Sequence, residues 1–201
     1  MPLTRLDTTT ALIVIDLQKG IVGLPTVHPI GEVLRHAGAL AEAFRRHGLP
    51  VVLVNVDGGA PGRTEEVARI GDFPAGWTDL VPELNRQPED HTVTKRTWGA
   101  FTNTGLGESL KKLDVTQVVI VGVATSAGVE STARQAHELG FNVTLAVDAM
   151  TDMNSDAHIN SVTRIFPRLG ETGTTAEIID LLENNLPEND RLENTREKGS
   201  A

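Results

Sequence analysis

The feature that most constrains this chain is a run of four β-branched residues, Val118-Val119-Ile120-Val121, followed by a small-residue segment, Gly122-Val123-Ala124-Thr125-Ser126. A short apolar run bounded by polar residues reads as a strand buried on both faces. Covering both faces of a sheet requires helices on each side, the layering of an α/β domain. A helical pattern follows from about Ala127 to Leu139, and Gly140 stops it in the C′ position. A buried strand that passes through a tight turn into a helix leaves backbone N–H groups unpaired at the carboxyl edge of the sheet. Open α/β sheets hold their ligands at that edge.

The same pattern recurs along the chain. Leu12 to Ile15 is another buried run and ends at Asp16, ahead of Leu17-Gln18-Lys19-Gly20. By itself a carboxylate there is either a loop or capping acid or a group at the sheet edge. Pro29 opens a helix to His47, with Ile30, Val33, Leu34, Ala37, Leu40, Ala41 and Phe44 on one face and Gly48 and Pro50 at its end. Val51 to Val56 is the second strand. The loop Asp57-Gly58-Gly59-Ala60-Pro61-Gly62 lacks both G-x-x-x-x-G-K-[ST] and G-x-G-x-x-G. It reads as an active-site or interface loop rather than a phosphate cradle. Residues 63–90 are polar and broken by prolines, with Trp77 as the main apolar anchor. They form an excursion of short helical pieces lying over the active site or in a subunit interface.

His91 to Thr94 is the third strand, followed by Lys95-Arg96-Thr97-Trp98-Gly99-Ala100-Phe101. In isolation such a Lys-Arg pair is solvated charge. Thr104 caps a helix that turns Leu106, Leu110 and Leu113 inward. Asn142 to Val147 is the fifth strand. Ser155 to Phe166 is a helix with Ile159, Val162, Ile165 and Phe166 inward, and a short sixth strand lies near Leu169 to Thr172. Thr174-Thr175-Ala176-Glu177 is a capping box for a last helix that packs Ile178, Ile179, Leu181 and Leu182. Residues 1–182 thus form one α/β domain, and residues 183–201 a charged, loose tail.

Composition narrows the partners. A net charge of −9 over 201 residues disfavours nucleic acid and anionic membranes. There is no 18-residue apolar stretch for a membrane span and no signal-peptide pattern, so a cytoplasmic protein is expected. With no cysteine, thiol nucleophiles, disulfides and thiolate metal sites are excluded. His28, His36, His47, His91, His137 and His158 are scattered, so neither a metal site nor a cofactor is expected.

The segment GVATSAGVESTA resembles the nucleophile turn of the isochorismatase-like hydrolases, the superfamily of nicotinamidases, N-carbamoylsarcosine amidases and isochorismatases. Most members read G-V-A-T-x-x-C, and this chain has Gly128 in the place of the cysteine. Lys95 to Phe101 resembles the K-x-x-x-S-A-F motif, with Gly99 for the serine. The similarity runs from about Ala11 to Leu182. It implies a single-domain, doubly wound, mostly parallel sheet of six strands in the order 3-2-1-4-5-6, helices on both faces, and strands 1 and 4 adjacent at the switch point. Asp16, Lys95 and Gly128 would then share one crevice. The resemblance also implies a cis peptide between Val123 and Ala124, aiming the Ala124 N–H inward beside that of residue 128 as an oxyanion hole. The Asp-x-His…His metal site of nicotinamidases is not matched, because Gly58 and Gly59 follow Asp57.

In the cysteine members the aspartate takes the thiol proton and the lysine supplies positive charge. Glycine cannot attack a carbonyl. Thr125 and Ser126 are candidate turn hydroxyls, although hydroxyls at such places ordinarily cap backbone. Isochorismatases cleave a vinyl ether, and some carry glycine at this position; there the aspartate acts as a general acid. That work needs a carboxyl with a raised pKa. The apolar run before Asp16 favours this, and Lys95 opposes it. The first reading is therefore a hydrolase lacking the cysteine nucleophile, in which Asp16, with Lys95, assists hydrolysis of a small vinyl-ether or related metabolite. Two alternatives stand beside it: an amide hydrolase using water or a turn hydroxyl, and a non-catalytic ligand-binding or scaffold relative. The expected partners are a small-molecule substrate and further copies of the chain. The resemblance and the exposed character of Phe73 and Trp77 point to a homo-oligomer, a dimer or tetramer.

Overall fold

The computed structural model describes residues 3–65 and 73–184. In chain order the elements are β1 (Thr10–Ile15), α1 (Lys19–Val22), α2 (Ile30–Arg46), β2 (Val51–Val56), β3 (His91–Lys95), α3 (Leu106–Lys112), β4 (Gln117–Val123), α4 (Glu130–Glu138), β5 (Asn142–Thr151), α5 (Ser155–Asn160), β6 (Glu171–Gly173) and α6 (Thr175–Asn184). The strands form one sheet in the order β3-β2-β1-β4-β5-β6. Every adjacent pair is parallel.

The apolar runs form central strands because both of their faces are covered. Every residue of β1 and β4 is buried. Successive side chains on a strand point to opposite faces, and the core divides accordingly. Leu12, Val14, Val119 and Val121 join Leu40 and Phe44 of α2 and Ile178 of α6 on one face. Ile13, Ile15, Val118 and Ile120 join Leu110 of α3 and Ala133 of α4 on the other. The capping box at α6 closes in both directions: the Thr174 N–H donates to Glu177 Oε2 at 2.7 Å, and the Glu177 N–H donates to Thr174 Oγ1 at 3.3 Å.

Several local expectations are corrected. β5 does not stop at Val147. Its register with β4 shifts between Ile120 and Gly122 and then resumes, pairing Gly122 with Met150 and Val123 with Thr151. The sheet partner thus carries the strand through the polar Asp148. The helix expected over 155–166 is regular only to Asn160; a wide turn, Ser161–Ile165, and a tight one, Phe166–Arg168, change its phase. Ile159, in the regular part before these turns, stands 53% exposed rather than inward. Leu113 lies at the C-cap of α3 and is also exposed. Gly105, at φ +71°, is the residue before α3, not Thr104, although Thr104 Oγ1 accepts the Leu106 N–H at 3.3 Å. The helix expected from Ala127 begins instead with a wide turn, Thr125–Val129, and is regular from Glu130. The first two residues expected in the tail, 183 and 184, continue α6, and residues 185–201 lie outside the described residues.

Candidate active site

β1 and β4 are neighbours, and Ile15 pairs with Gly122 at their carboxyl ends. Asp16 follows directly, in the left-handed region at φ +52°, a conformation that Asp tolerates better than most side chains. Its N–H donates to the Val54 carbonyl at 2.9 Å. Lys95 is the last residue of β3, two strands away. Its ammonium crosses to Asp16, with Nζ 2.7 Å from Oδ2 and 3.1 Å from the Thr97 carbonyl. Asp16 is 5% exposed and Lys95 2%. Asp16 Oδ1 is buried and has no hydrogen-bond partner among the described residues. Burial raises the carboxyl from its ordinary value to about 6, outweighing the opposing attraction and hydrogen bond of Lys95.

The turn after β4 forms the other side of the site. The Val123–Ala124 peptide is cis. Gly128 is buried in the turn and faces Asp16: a Cβ placed there would lie 3.1 Å from Asp16 Oδ2 and 2.8 Å from Ile15 Cγ2. Neither turn hydroxyl is free. Ser126 gives both its N–H and its Oγ–H to Asp152 Oδ2, each at 2.7 Å. Thr125 is fully buried, with Oγ1 2.9 Å from His158 Nδ1. His158, whose pKa burial lowers, packs edge to face with His28 at 4.6 Å between ring centres.

Asp16, Lys95, Ala124 and Gly128 line one cavity of about 520 Å³. Its remaining walls are apolar, with Ile21, Leu24, Phe73, Trp77, Trp98 and Met153 prominent. Thr125 and Ser126 are not among the lining residues. Phe73 and Trp77, read from the sequence as exposed, are half-buried and stack on each other at 4.0 Å over this cavity. Gln18 holds that wall in place. Its fully buried amide accepts the Val56 N–H at 2.7 Å and donates to the Val56 and Trp77 carbonyls. The Gly20 N–H donates to the Trp77 carbonyl at 2.9 Å, and a Cβ on Gly20 would fall inside the indole.

Sequence reasoning passed over Gln18, Trp98, Met153 and Asp152. The only available signal was position, since each falls within a few residues of a strand's carboxyl end. Asp57, near the place of a possible metal ligand, is engaged by Arg96 Nε at 3.0 Å. Among the described residues no group of three or more His, Asp or Glu side chains is placed to hold a metal.

The family model for the isochorismatase domain matches residues 10–177. The chain belongs to the isochorismatase family. Among its relatives is the isochorismatase family protein YwoC of Bacillus subtilis, 41% identical over 178 residues, which span 85% of this chain and 93% of that one. Nicotinamidase 3 of Arabidopsis thaliana is 30% identical over 74% of this chain and 76% of its own. The solved structure of an isochorismatase family protein from Burkholderia thailandensis superposes with a TM-score of 0.86 at 39% identity, covering 89% of this chain and 98% of that one. The family is one of hydrolases, and this member carries no cysteine.

Proposed function

We propose that this isochorismatase-family protein hydrolyses a small vinyl-ether or related metabolite, with Asp16 as the general acid. The observation that carries the reading is the state of the Asp16 carboxyl. One oxygen is held by Lys95; the other is buried without a partner among the described residues; and burial raises the pKa to about 6. A group so placed keeps a proton into the range where proton transfer is useful.

The step balances as follows. Asp16 donates its proton to the terminal vinyl carbon, whose π electrons form the new C–H bond. The positive charge that develops is shared between the adjacent carbon and the ether oxygen. Water adds to that carbon and returns a proton to the Asp16 carboxylate. The resulting hemiketal gives up its hydroxyl proton and the departing oxygen takes one up as the C–O bond breaks, giving an alcohol and a carbonyl compound, so one water is consumed. Lys95 fixes the orientation of Asp16 through Oδ2, which leaves Oδ1 as the proton-carrying atom. The backbone N–H groups of Ala124 and Gly128 are the candidates for holding the departing oxygen.

The test is a hydrolysis assay of vinyl ethers, isochorismate included, alongside small amides. Asp16→Asn is expected to lower kcat/KM for the active ether by at least about 100-fold, the scale of general acid catalysis. Turnover of amides but not ethers would replace this reading with that of an amide hydrolase. Silence on both would favour the ligand-binding relative.

A further inference from the structure

Asp152 directly follows β5 and is 3% exposed, yet it is not among the residues lining the cavity. Burying a carboxylate is costly unless its oxygens are bonded. Here Oδ2 accepts the Ser126 N–H and the Ser126 Oγ–H, each at 2.7 Å, and Oδ1 accepts the Asn154 N–H at 3.1 Å. Two bonds from one residue to one oxygen fix both the peptide plane and the side chain of Ser126, and charge-assisted bonds of this kind are stronger than neutral ones. The same turn is held at Thr125, whose Oγ1 lies 2.9 Å from His158 Nδ1, and at Ala124, whose carbonyl accepts the Ala127 and Val129 N–H groups, each at 3.1 Å. Ala124 and Gly128, the two oxyanion candidates, stand on either side of the anchored Thr125 and Ser126. The main chain of Asp152 reaches a second part of the wall. Its carbonyl accepts the Val27 N–H at 2.8 Å, in the segment after Leu24, and Met153 follows it into the lining.

We infer that Asp152 is a positioning residue for the hydrolytic reaction: through Ser126 it sets the turn that carries Ala124 and Gly128, without touching the substrate. A carboxylate suits the task because it accepts with both oxygens. An amide of the same size has one acceptor and cannot serve Ser126 and Asn154 together. Oxyanion donors act only when aimed at the place where charge develops, so a small displacement of the turn falls on kcat rather than on substrate affinity. The role in the reaction rests on the hydrolase reading of this cavity; the setting of the turn rests on the hydrogen bonds alone.

The test separates the turn from the chemistry. Asp152→Asn is made in the full chain and compared with Asp90→Asn, which breaks a buried ion pair with Arg45 outside the cavity lining. Backbone amide exchange is followed residue by residue by NMR, and kcat and KM are measured separately on a vinyl ether that the parent hydrolyses. In Asp152→Asn, exchange at Ala127 and Val129, whose N–H groups bond the Ala124 carbonyl, is expected to quicken by about tenfold or more relative to Val119 to Val121 of β4. The kcat is expected to fall by about tenfold or more, with KM within about twofold of the parent. Asp90→Asn is expected to lower Tm and to move neither quantity. Ser126→Ala, which removes one of the two bonds to Oδ2, should give the same pattern at smaller size, and it decides the matter if Asp152→Asn does not fold. Unchanged exchange across the turn, an unchanged kcat on a hydrolysed ether, or equal effects from Asp90→Asn would each overturn the inference. If the parent turns over no ether, the vinyl-ether reading alone fails, and the exchange measurements decide whether Asp152 sets the turn.

Discussion

Lys95 Nζ lies 2.7 Å from Asp16 Oδ2, although 79 positions separate the two in the chain, and both side chains are almost wholly buried. A buried ion pair is not evidence of stability, since desolvation offsets the attraction. Here desolvation prevails at the carboxyl, whose pKa rises to about 6. The pair lies in the wall of an apolar cavity.

The first prediction concerns stability against pH. The folded-state pKa of Asp16 lies above its ordinary value, so the folded protein binds the proton more tightly than the unfolded chain does. This contribution is fully present below about pH 4 and is lost as pH rises through about 6. The loss amounts to up to about 3 kcal/mol. Urea unfolding at pH values from 4 to 7.5 should show this component in the parent and not in Asp16→Asn.

Lys95→Met removes the partner that lowers the Asp16 pKa. The carboxyl should then titrate above the parent value, read from the carbon-13 shift of that carboxyl. A downward move would show that Lys95 does not act on Asp16 as the geometry requires.

Gly128→Cys tests the empty nucleophile position. The new Cβ would be 2.8 Å from Ile15 Cγ2, so neighbouring groups must shift, at a cost of about 1–3 kcal/mol. A fall in Tm of several degrees is expected, together with alkylation by iodoacetamide, because the neighbouring ammonium of Lys95 favours thiolate. The parent, without thiols, should be inert to the reagent.

Gly20→Ala should displace Trp77, because the added methyl would occupy the place of the indole. Trp77 and Trp98 are the only tryptophans. A red shift of the emission is expected. Unchanged emission would mean that the ring is not held where the structure puts it.

Assembly provides a further check. Leu24, Trp98 and Met153 line the cavity, yet each is more than a third exposed. Coverage by a second copy is expected, so light scattering should give a multiple of 21.6 kDa. A mass of 21.6 kDa would rule this out.

Much of the architecture was legible because strand burial and helix periodicity are local signals. Leu12 to Ile15 and Val118 to Val121 have no polar face, so each must lie in a sheet covered on both faces. What failed was decided by neighbours. β5 continues past Val147 because β4 offers it partners after a register shift. Ile159 faces solvent from the regular part of α5, ahead of the wide turn Ser161–Ile165.

The sequence by itself determined the fold class, the alternation of strands and helices, the absence of a thiol, and, through the resemblance of its turn and lysine motifs, which residues meet. Tertiary structure alone decided their chemical condition. The unpartnered Asp16 Oδ1, the Trp77 ring lying on Gly20, and the closeness of Gly128 to Asp16 depend on side-chain packing between segments far apart in the chain. Residue order carries the identity of a carboxyl. Its desolvation, and hence its proton affinity, comes from every element that closes around it.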